Sequence, residues 1–245
     1  MSHVPAGRRV SLPVRLLWGI VALVVAAGFA SLGFWQYGRA GAKQRWLDGY
    51  AAALQAPPLP LVEALAAPPP DVPKRIVGDI GFVDAPVLLL DNQQREGRVG
   101  VRAYALAQVG ASAVPVLVEL GWLPVGTDRA LPQVVLPEGR QHIEGVLLPW
   151  PGQGLRLAEN PWQNDGVVLL TYLDRDEIGR KTGTTPYHGV LQPAPALPLG
   201  YAREAGTLPN TLPPERHRGY AVQWWGLSIT VLLVYLTLAL RRREK

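Results

Sequence analysis

LLWGIVALVVAAGFASLGFW occupies residues 16–35 of the chain and contains no charged residue. A second charge-free run, AVQWWGLSITVLLVYLTLAL, occupies residues 221–240. Each run is 20 residues long, so as an α-helix it extends for about 30 Å, which is the thickness of the hydrocarbon core of a bilayer. The sequence therefore predicts a membrane protein with two transmembrane helices.

Each run has an alternative interpretation. The first could be a cleaved signal peptide, because three arginines precede it within residues 8–15. Twenty apolar residues exceed the usual length of a signal-peptide core, however, and the run ends in the bulky string GFWQYGR rather than in small residues, which favours a retained anchor. The second could be a buried core helix, but it is followed directly by RRREK at residues 241–245, which is typical of a basic anchor at a membrane surface.

The basic residues near the ends of the two runs predict their orientation. Three arginines lie in residues 1–15, and four basic residues lie in the tail 241–245. Three further basic residues within 39–45 roughly cancel the bias at the amino terminus, so the tail decides. We expect 1–15 and 241–245 to be cytoplasmic and residues 36–220 to be extracytoplasmic. Because no long presequence precedes the first run, we expect the inner membrane of a bacterium, with the domain in the periplasm.

Residues 36–220 are expected to form one domain rich in β-structure. The chain contains 24 prolines and 26 glycines, which punctuate short strands and forbid long helices within the domain. We expect the first helix to continue through Trp46 to Leu54 before a proline-rich linker. Six runs are then predicted strands: KRIVGDIGFV (74–83), PVLLLDN (86–92), VGVRAYALAQV (99–109), VPVLVELGWLPV (114–125), RQHIEGVLL (140–148) and GVVLLTYL (166–173). The predicted fold is thus two transmembrane helices flanking one mainly β domain, a partly open antiparallel barrel or a sandwich with short helices.

Composition excludes several classes of function. The chain has no cysteine and only four histidines, none of them at metal-ligand spacing, so a zinc or copper site made by the protein alone is not expected. The net charge of +5 lies partly in the arginines that flank the apolar runs, and no basic run interleaved with aromatics indicates binding to nucleic acid.

Two charged strings raise the question of catalysis. In DNQQREGRVG (91–100), Asp91, Asn92 and Gly97 are typical turn residues, and we interpret the string as a solvated hairpin loop. TYLDRDEIGR (171–180) is interpreted as a charged, solvated segment after a strand. No nucleophile, base and orienting group can be named together, so no enzyme is predicted.

The ends of the two apolar runs carry a more specific pattern. Trp35 and Arg39 are four residues apart and Gln36 lies three before Arg39, so these side chains share a helix face as the chain leaves the bilayer. His217 and Trp224 recur at helical spacing with Tyr220 or Ala221 between them. The alternative for both strings is an interfacial belt of aromatic rings and snorkelling cations without a ligand.

Together the two strings resemble the signatures of the surfeit locus assembly family of cytochrome c oxidase. The first signature, LGxWQxxR, is matched by Leu32, Gly33, Trp35, Gln36 and Arg39, and is followed by Trp46. The second, HxxYAxQW, is matched by His217, Tyr220, Ala221, Gln223 and Trp224. The resemblance continues more loosely between them and departs at two places, where Glu119 and Leu120 replace an Asn-Arg pair and Glu215 and Arg216 replace two asparagines. No role of those family residues carries over to this chain.

The resemblance implies a non-enzymatic assembly factor for a haem-copper terminal oxidase, which aids the delivery or insertion of haem a into the large catalytic subunit. That subunit, the haem a synthesis machinery and membrane lipid are the implied partners. A haem site needs an axial ligand, apolar walls and cations for the propionates. The candidates are His217 as the ligand of the haem iron, Trp224 and Trp35 as walls, Arg39 and Arg218 as propionate partners, and Tyr220 as an alternative ligand or as a hydrogen-bond partner of a haem substituent.

A scaffold that binds no haem is the second hypothesis. Its two helices would pack against oxidase subunits and hold an assembly intermediate. Small residues in the apolar runs, such as Gly19, Gly28, Gly33 and Gly226, would then serve contacts between helices. This hypothesis predicts that the isolated protein carries no cofactor and copurifies with an oxidase subunit.

Overall fold

The computed structural model describes residues 12–112, 114–126, 130–151, 166–204, 206 and 212–241. The helices are α1 (Leu12–Gln55), α2 (Leu61–Ala66), α3 (Arg175–Thr182) and α4 (Pro214–Arg241). The strands are β1 (Leu59–Pro60), β2 (Lys74–Phe82), β3 (Val87–Arg95), β4 (Arg98–Gln108), β5 (Val116–Pro124), β6 (Arg140–Pro149), β7 (Val167–Leu170) and β8 (Gly189–Pro193). By contacts within the chain, α4 and residues 12–45 of α1 form one compact unit, and residues 46–211 form a second.

Both terminal helices are long and apolar enough to cross a membrane. The predicted continuation of the first helix through Trp46 to Leu54 is confirmed, because α1 ends at Gln55, two residues before the next proline. Helix α4 begins at Pro214, where a proline loses no helical hydrogen bond and its fixed φ suits the first turn. The membrane boundaries at residues 16–35 and 221–240 stay a prediction, and the basic residues in 1–11 and 242–245 lie outside the described residues.

Five strands of the second unit close into a barrel. The order of pairing is β2–β6–β8–β5–β4, and β4 returns to β2 through Gly81 opposite Gln108 and Phe82 opposite Ala107. Strands β3 and β7 extend the sheet from β4, and β1 pairs with β2. The expectation of a mainly β domain with a barrel is confirmed. The barrel is closed rather than partly open, and four of its five pairings are antiparallel while β5 and β8 pair parallel.

The difference comes from β8, which the sequence analysis missed. GVLQP is short and ends in proline, so its sequence alone is a weak strand signal. In the barrel β8 pairs antiparallel with β6 and parallel with β5, and its residues are buried. Tertiary pairing thus supplies the stability that local propensity lacks, and it closes the circuit.

The string 171–180 is not a solvated segment, whereas the string 91–100 is a largely exposed hairpin whose loop is shorter than expected. Residues 175–182 form α3, because the carboxylate of Asp174 accepts hydrogen bonds from the N–H groups of Asp176 and Glu177 and so caps the helix, while Ile178 is buried. Strand β3 continues to Arg95, and the hairpin turn is confined to residues 96 and 97. Of the three predicted turn residues, Gly97 lies in that turn with a positive φ, whereas positions 91 and 92 belong to the strand.

Hydrogen bonds link polar side chains of β4, β5, β8 and α1 that are buried or half-buried. Arg102 Nη1 donates to Glu119 Oε1 at 3.2 Å, and Gln192 Nε2 donates to Glu119 Oε2 at 3.1 Å. The Tyr50 hydroxyl in turn donates to Gln192 Oε1 at 2.9 Å. Burial raises the pKa of Glu119 above its usual range, and the Arg102 guanidinium opposes this effect. Glu119, one of the two residues that depart from the Asn-Arg pair of the similar family, therefore forms a buried ion pair with Arg102.

Candidate functional site

Helices α1 and α4 pack along a stripe of small residues. On α1 the facing positions recur every seven residues at Gly19, Ala26, Gly33 and Ala40, and all are partly or fully buried. The Ser228 hydroxyl donates to the Ala26 carbonyl oxygen at 2.8 Å. Small side chains let two helix backbones approach closely in lipid, where apolar burial alone does not hold helices together.

Two of the four glycines in the scaffold hypothesis serve this helix pair. A Cβ atom at Gly33 would lie 2.3 Å from Trp225 Nε1, and one at Gly19 would lie 2.7 Å from the Tyr235 hydroxyl oxygen. At Gly28 and Gly226, no described atom outside the neighbouring turns of the same helix lies within 4 Å of the corresponding position. These two glycines therefore take no part in the contact between α1 and α4.

His217 contacts α1 through Gln36. Its Nδ1 lies 2.7 Å from Gln36 Oε1, and the residue is only 8% exposed. Because an amide oxygen only accepts, Nδ1 carries the proton in this bond and Nε2 keeps the lone pair. In that tautomer Nε2 can ligate a metal ion, and the hydrogen bond from Nδ1 to Gln36 fixes the orientation of the imidazole ring.

The predicted aromatic walls occupy different surroundings. Trp224 stacks on Phe29 of α1, with ring centroids 5.6 Å apart and an angle of 28° between the planes. Trp35 is 58% exposed and Tyr220 is 40% exposed. The structure thus joins Trp224 to the helix pair and leaves the other two rings available to lipid or to a partner.

Several cations lie at the same end of the helix pair. Arg218 Nη2 donates to Gln44 Oε1 at 3.2 Å, and its Nη1 lies 4.0 Å from a carboxylate oxygen of Glu215. Arg39 is exposed, and its charge and that of Lys43 both act on the His217 ring. Two hydrogen bonds thus join α4 to α1 at this end, one from His217 to Gln36 and one from Arg218 to Gln44.

The sequence analysis did not choose Gln36 or Lys43 as site residues. The signal for Gln36 was present, since it is a polar side chain one turn beyond Gly33 on the buried stripe of an apolar helix. For Lys43 the signal was weaker, because a lysine near a membrane surface is usually explained by snorkelling. Only the packing against α4 shows that both lie beside His217.

The donor set fits haem in part. A neutral imidazole with a free Nε2 suits the iron, and Arg39 and Arg218 carry the charge that propionates need. In this arrangement His217 is enclosed and Trp224 is stacked on Phe29. The His217 residue therefore offers a macrocycle little exposed surface in this arrangement. The role of the six predicted residues in haem binding stays a prediction.

The sequence was also compared with known families. A model of the SURF1 family matches residues 23–229. The match begins inside the first apolar run, ends inside the second and includes the barrel, so it covers both ends of the candidate site. Compared one by one with curated proteins, the sequence matches none.

Proposed function

Because the chain belongs to the SURF1 family, which is linked to the assembly of cytochrome oxidase, we propose that it holds haem a near the membrane surface for insertion into the large catalytic subunit of a haem-copper oxidase. The family is one of assembly factors and not a known enzyme family. Haem a is then cargo, taken up and released. The expected partners are that subunit and the haem a synthesis machinery, and the expected place is a bacterial inner membrane with the barrel in the periplasm.

The hydrogen bond between His217 and Gln36 carries the proposal. This bond holds the imidazole in the tautomer whose Nε2 has a free lone pair. His217 lies at the end of the helix pair where lysine and arginine outnumber carboxylates. Arg39 and Arg218 would hold the propionates, and the exposed rings of Trp35 and Tyr220 would cover the apolar macrocycle. Bound haem supplies the iron that Nε2 ligates, and the protein supplies position and charge.

Substitution of His217 by alanine tests the ligand. When the full chain is purified from cells that make haem a, we expect the Soret band of the parent protein to be lost or shifted in His217→Ala, because the axial nitrogen is gone. Gln36→Leu keeps the ring but removes its partner, and should weaken haem binding by about 10- to 100-fold. The measurement is a titration followed by visible absorption.

His142→Ala is the matched control. This histidine lies in the barrel unit, where its Nδ1 lies 2.7 Å from Asp79, and its side chain is exposed. We expect its spectrum to equal that of the parent. If the Soret band is unchanged in His217→Ala, His217 is not a ligand of the haem iron.

The enclosure of His217 favours the scaffold as a second candidate function. A buried ring that bonds across two helices also stabilises the pair without any ligand. In that case the protein purifies without haem and copurifies with an oxidase subunit, and His217→Ala weakens only the pairing of α1 and α4. The two candidates therefore differ in the spectrum of the parent protein.

A further inference from the structure

The end of the helix pair that holds His217 has an unbalanced charge. Residues 36–45 and 212–220 contain five lysines and arginines and one carboxylate, that of Glu215. Glu215 lies 4.0 Å from Arg218. Among the described residues neither Arg39 nor Lys43 forms an ion pair with a carboxylate.

Lys43 differs from a snorkelling lysine, whose side chain extends along an apolar surface and keeps its ammonium in water. It lies seven residues after Gln36 on the same face of α1, the face that packs against α4, and it is partly buried. Arg39 lies one turn nearer the apolar run, and both charges act on the His217 ring. A partly buried ammonium without a counter-ion is unfavourable, and an anion between these two cations would relieve it.

The surroundings indicate which anion reaches this place. Phe34, Trp35 and Tyr37 expose large aromatic surfaces six to nine residues before Lys43, on the side of the apolar run. Tryptophan and tyrosine side chains are enriched at the level of lipid headgroups, so with the predicted membrane boundary at residue 35 we expect phosphate groups at the height of Arg39 and Lys43. Apolar side chains below them can pack against acyl chains.

We propose that Arg39 and Lys43, beside His217, bind the phosphate of an anionic phospholipid. The site adds Lys43, which the proposed haem function does not need, and shares Arg39 with that function, so the lipid phosphate binds when no haem propionate occupies Arg39. The ammonium of Lys43 bonds a phosphate oxygen from the side of α4, and the guanidinium of Arg39 bonds a second oxygen from the lipid side.

Lipid retention in the full chain tests the site. The protein is purified in mild detergent, equilibrated with phosphatidylglycerol in excess phosphatidylcholine, and analysed by native mass spectrometry. We expect retained phosphatidylglycerol in the parent and a loss in affinity of about fivefold in Lys43→Gln, with a similar further loss when Arg39→Gln is added.

Arg45→Gln is the control, because it removes the same charge two residues away on the opposite face of α1 from Gln36. Equal losses in Lys43→Gln and Arg45→Gln would overturn the proposal, since they would indicate unspecific attraction. Retention of phosphatidylcholine as strong as that of phosphatidylglycerol would also overturn it.

A last experiment compares lipid with inorganic phosphate. If inorganic phosphate protects the parent protein against thermal unfolding as well as phosphatidylglycerol does, free phosphate and not lipid is the ligand.

Discussion

Replacing Gly33 by leucine is expected to separate α1 from α4. Even the first carbon of the new side chain would lie 2.3 Å from Trp225 Nε1, and the indole ring is confined by Phe34 at 5.4 Å and Tyr37 at 5.9 Å between centroids. Overpacking of this kind costs about 1–3 kcal/mol or more. Because this cost falls on the small-residue contact that lets the two helices approach, we expect most of the pairing to be lost.

Cysteine crosslinking measures this loss directly. The chain has no cysteine, so Ala26→Cys with Ser228→Cys introduces only one pair, at positions joined by a 2.8 Å hydrogen bond. We expect efficient disulfide formation in the parent background and little in Gly33→Leu. Gly28→Leu and Gly226→Leu are the controls, since nothing described lies within 4 Å of the added carbon. Equal crosslinking in Gly33→Leu and in these controls would contradict the observed helix packing.

Removal of Arg102 is expected to destabilise the barrel more than any surface change. Arg102→Ala leaves the buried carboxylate of Glu119 with Gln192 as its remaining partner. Breaking a buried ion pair in this way costs about 3–5 kcal/mol, which corresponds to a fall in apparent Tm of about 6–20 °C for a chain of this size. The measurement is thermal unfolding of the full chain in detergent, followed by tryptophan fluorescence.

The cost should depend on pH in a defined direction. Burial already raises the pKa of Glu119, and loss of the Arg102 charge raises that pKa further. When the pKa of a carboxyl is higher in the folded than in the unfolded state, the folded protein loses stability as the pH rises through the folded-state pKa. We therefore expect the difference in Tm between Arg102→Ala and the parent to be small in acid and to grow towards neutral pH.

Two further variants separate the ion pair from general damage. Arg95→Ala removes a more exposed pair with Glu204, and its effect should be about 1 kcal/mol or less. The double replacement Arg102→Met with Glu119→Leu removes both charges and should recover most of the stability that Arg102→Ala loses. A double variant as unstable as the single one would show that packing and not charge explains the loss.

Local patterns in the chain were sufficient for much of the fold. Two charge-free runs predicted the terminal helices, and short apolar runs separated by turn residues predicted six of the strands, because both signals depend on neighbours in sequence. The capped helix α3 was missed although Asp174 was visible, since a short charged segment becomes helical only when Ile178 has a core to enter. Strand β8 and the closure of the barrel depend on partners far away in the sequence, which no local pattern contains.

The sequence by itself determined the family, through two short strings at the ends of the apolar runs, and it predicted that His217 lies near a membrane surface. Only the tertiary structure decided that Gln36 holds the His217 ring, that Lys43 faces α4, and that Trp35 is exposed while Trp224 stacks on α1. The physical reason is that helical spacing fixes which residues share a face, whereas the rotation of one helix against another is set by which small residues allow the backbones to approach. In this chain those residues include Gly33 and Ala26, 192 and 202 positions away from the tryptophan and serine that they contact.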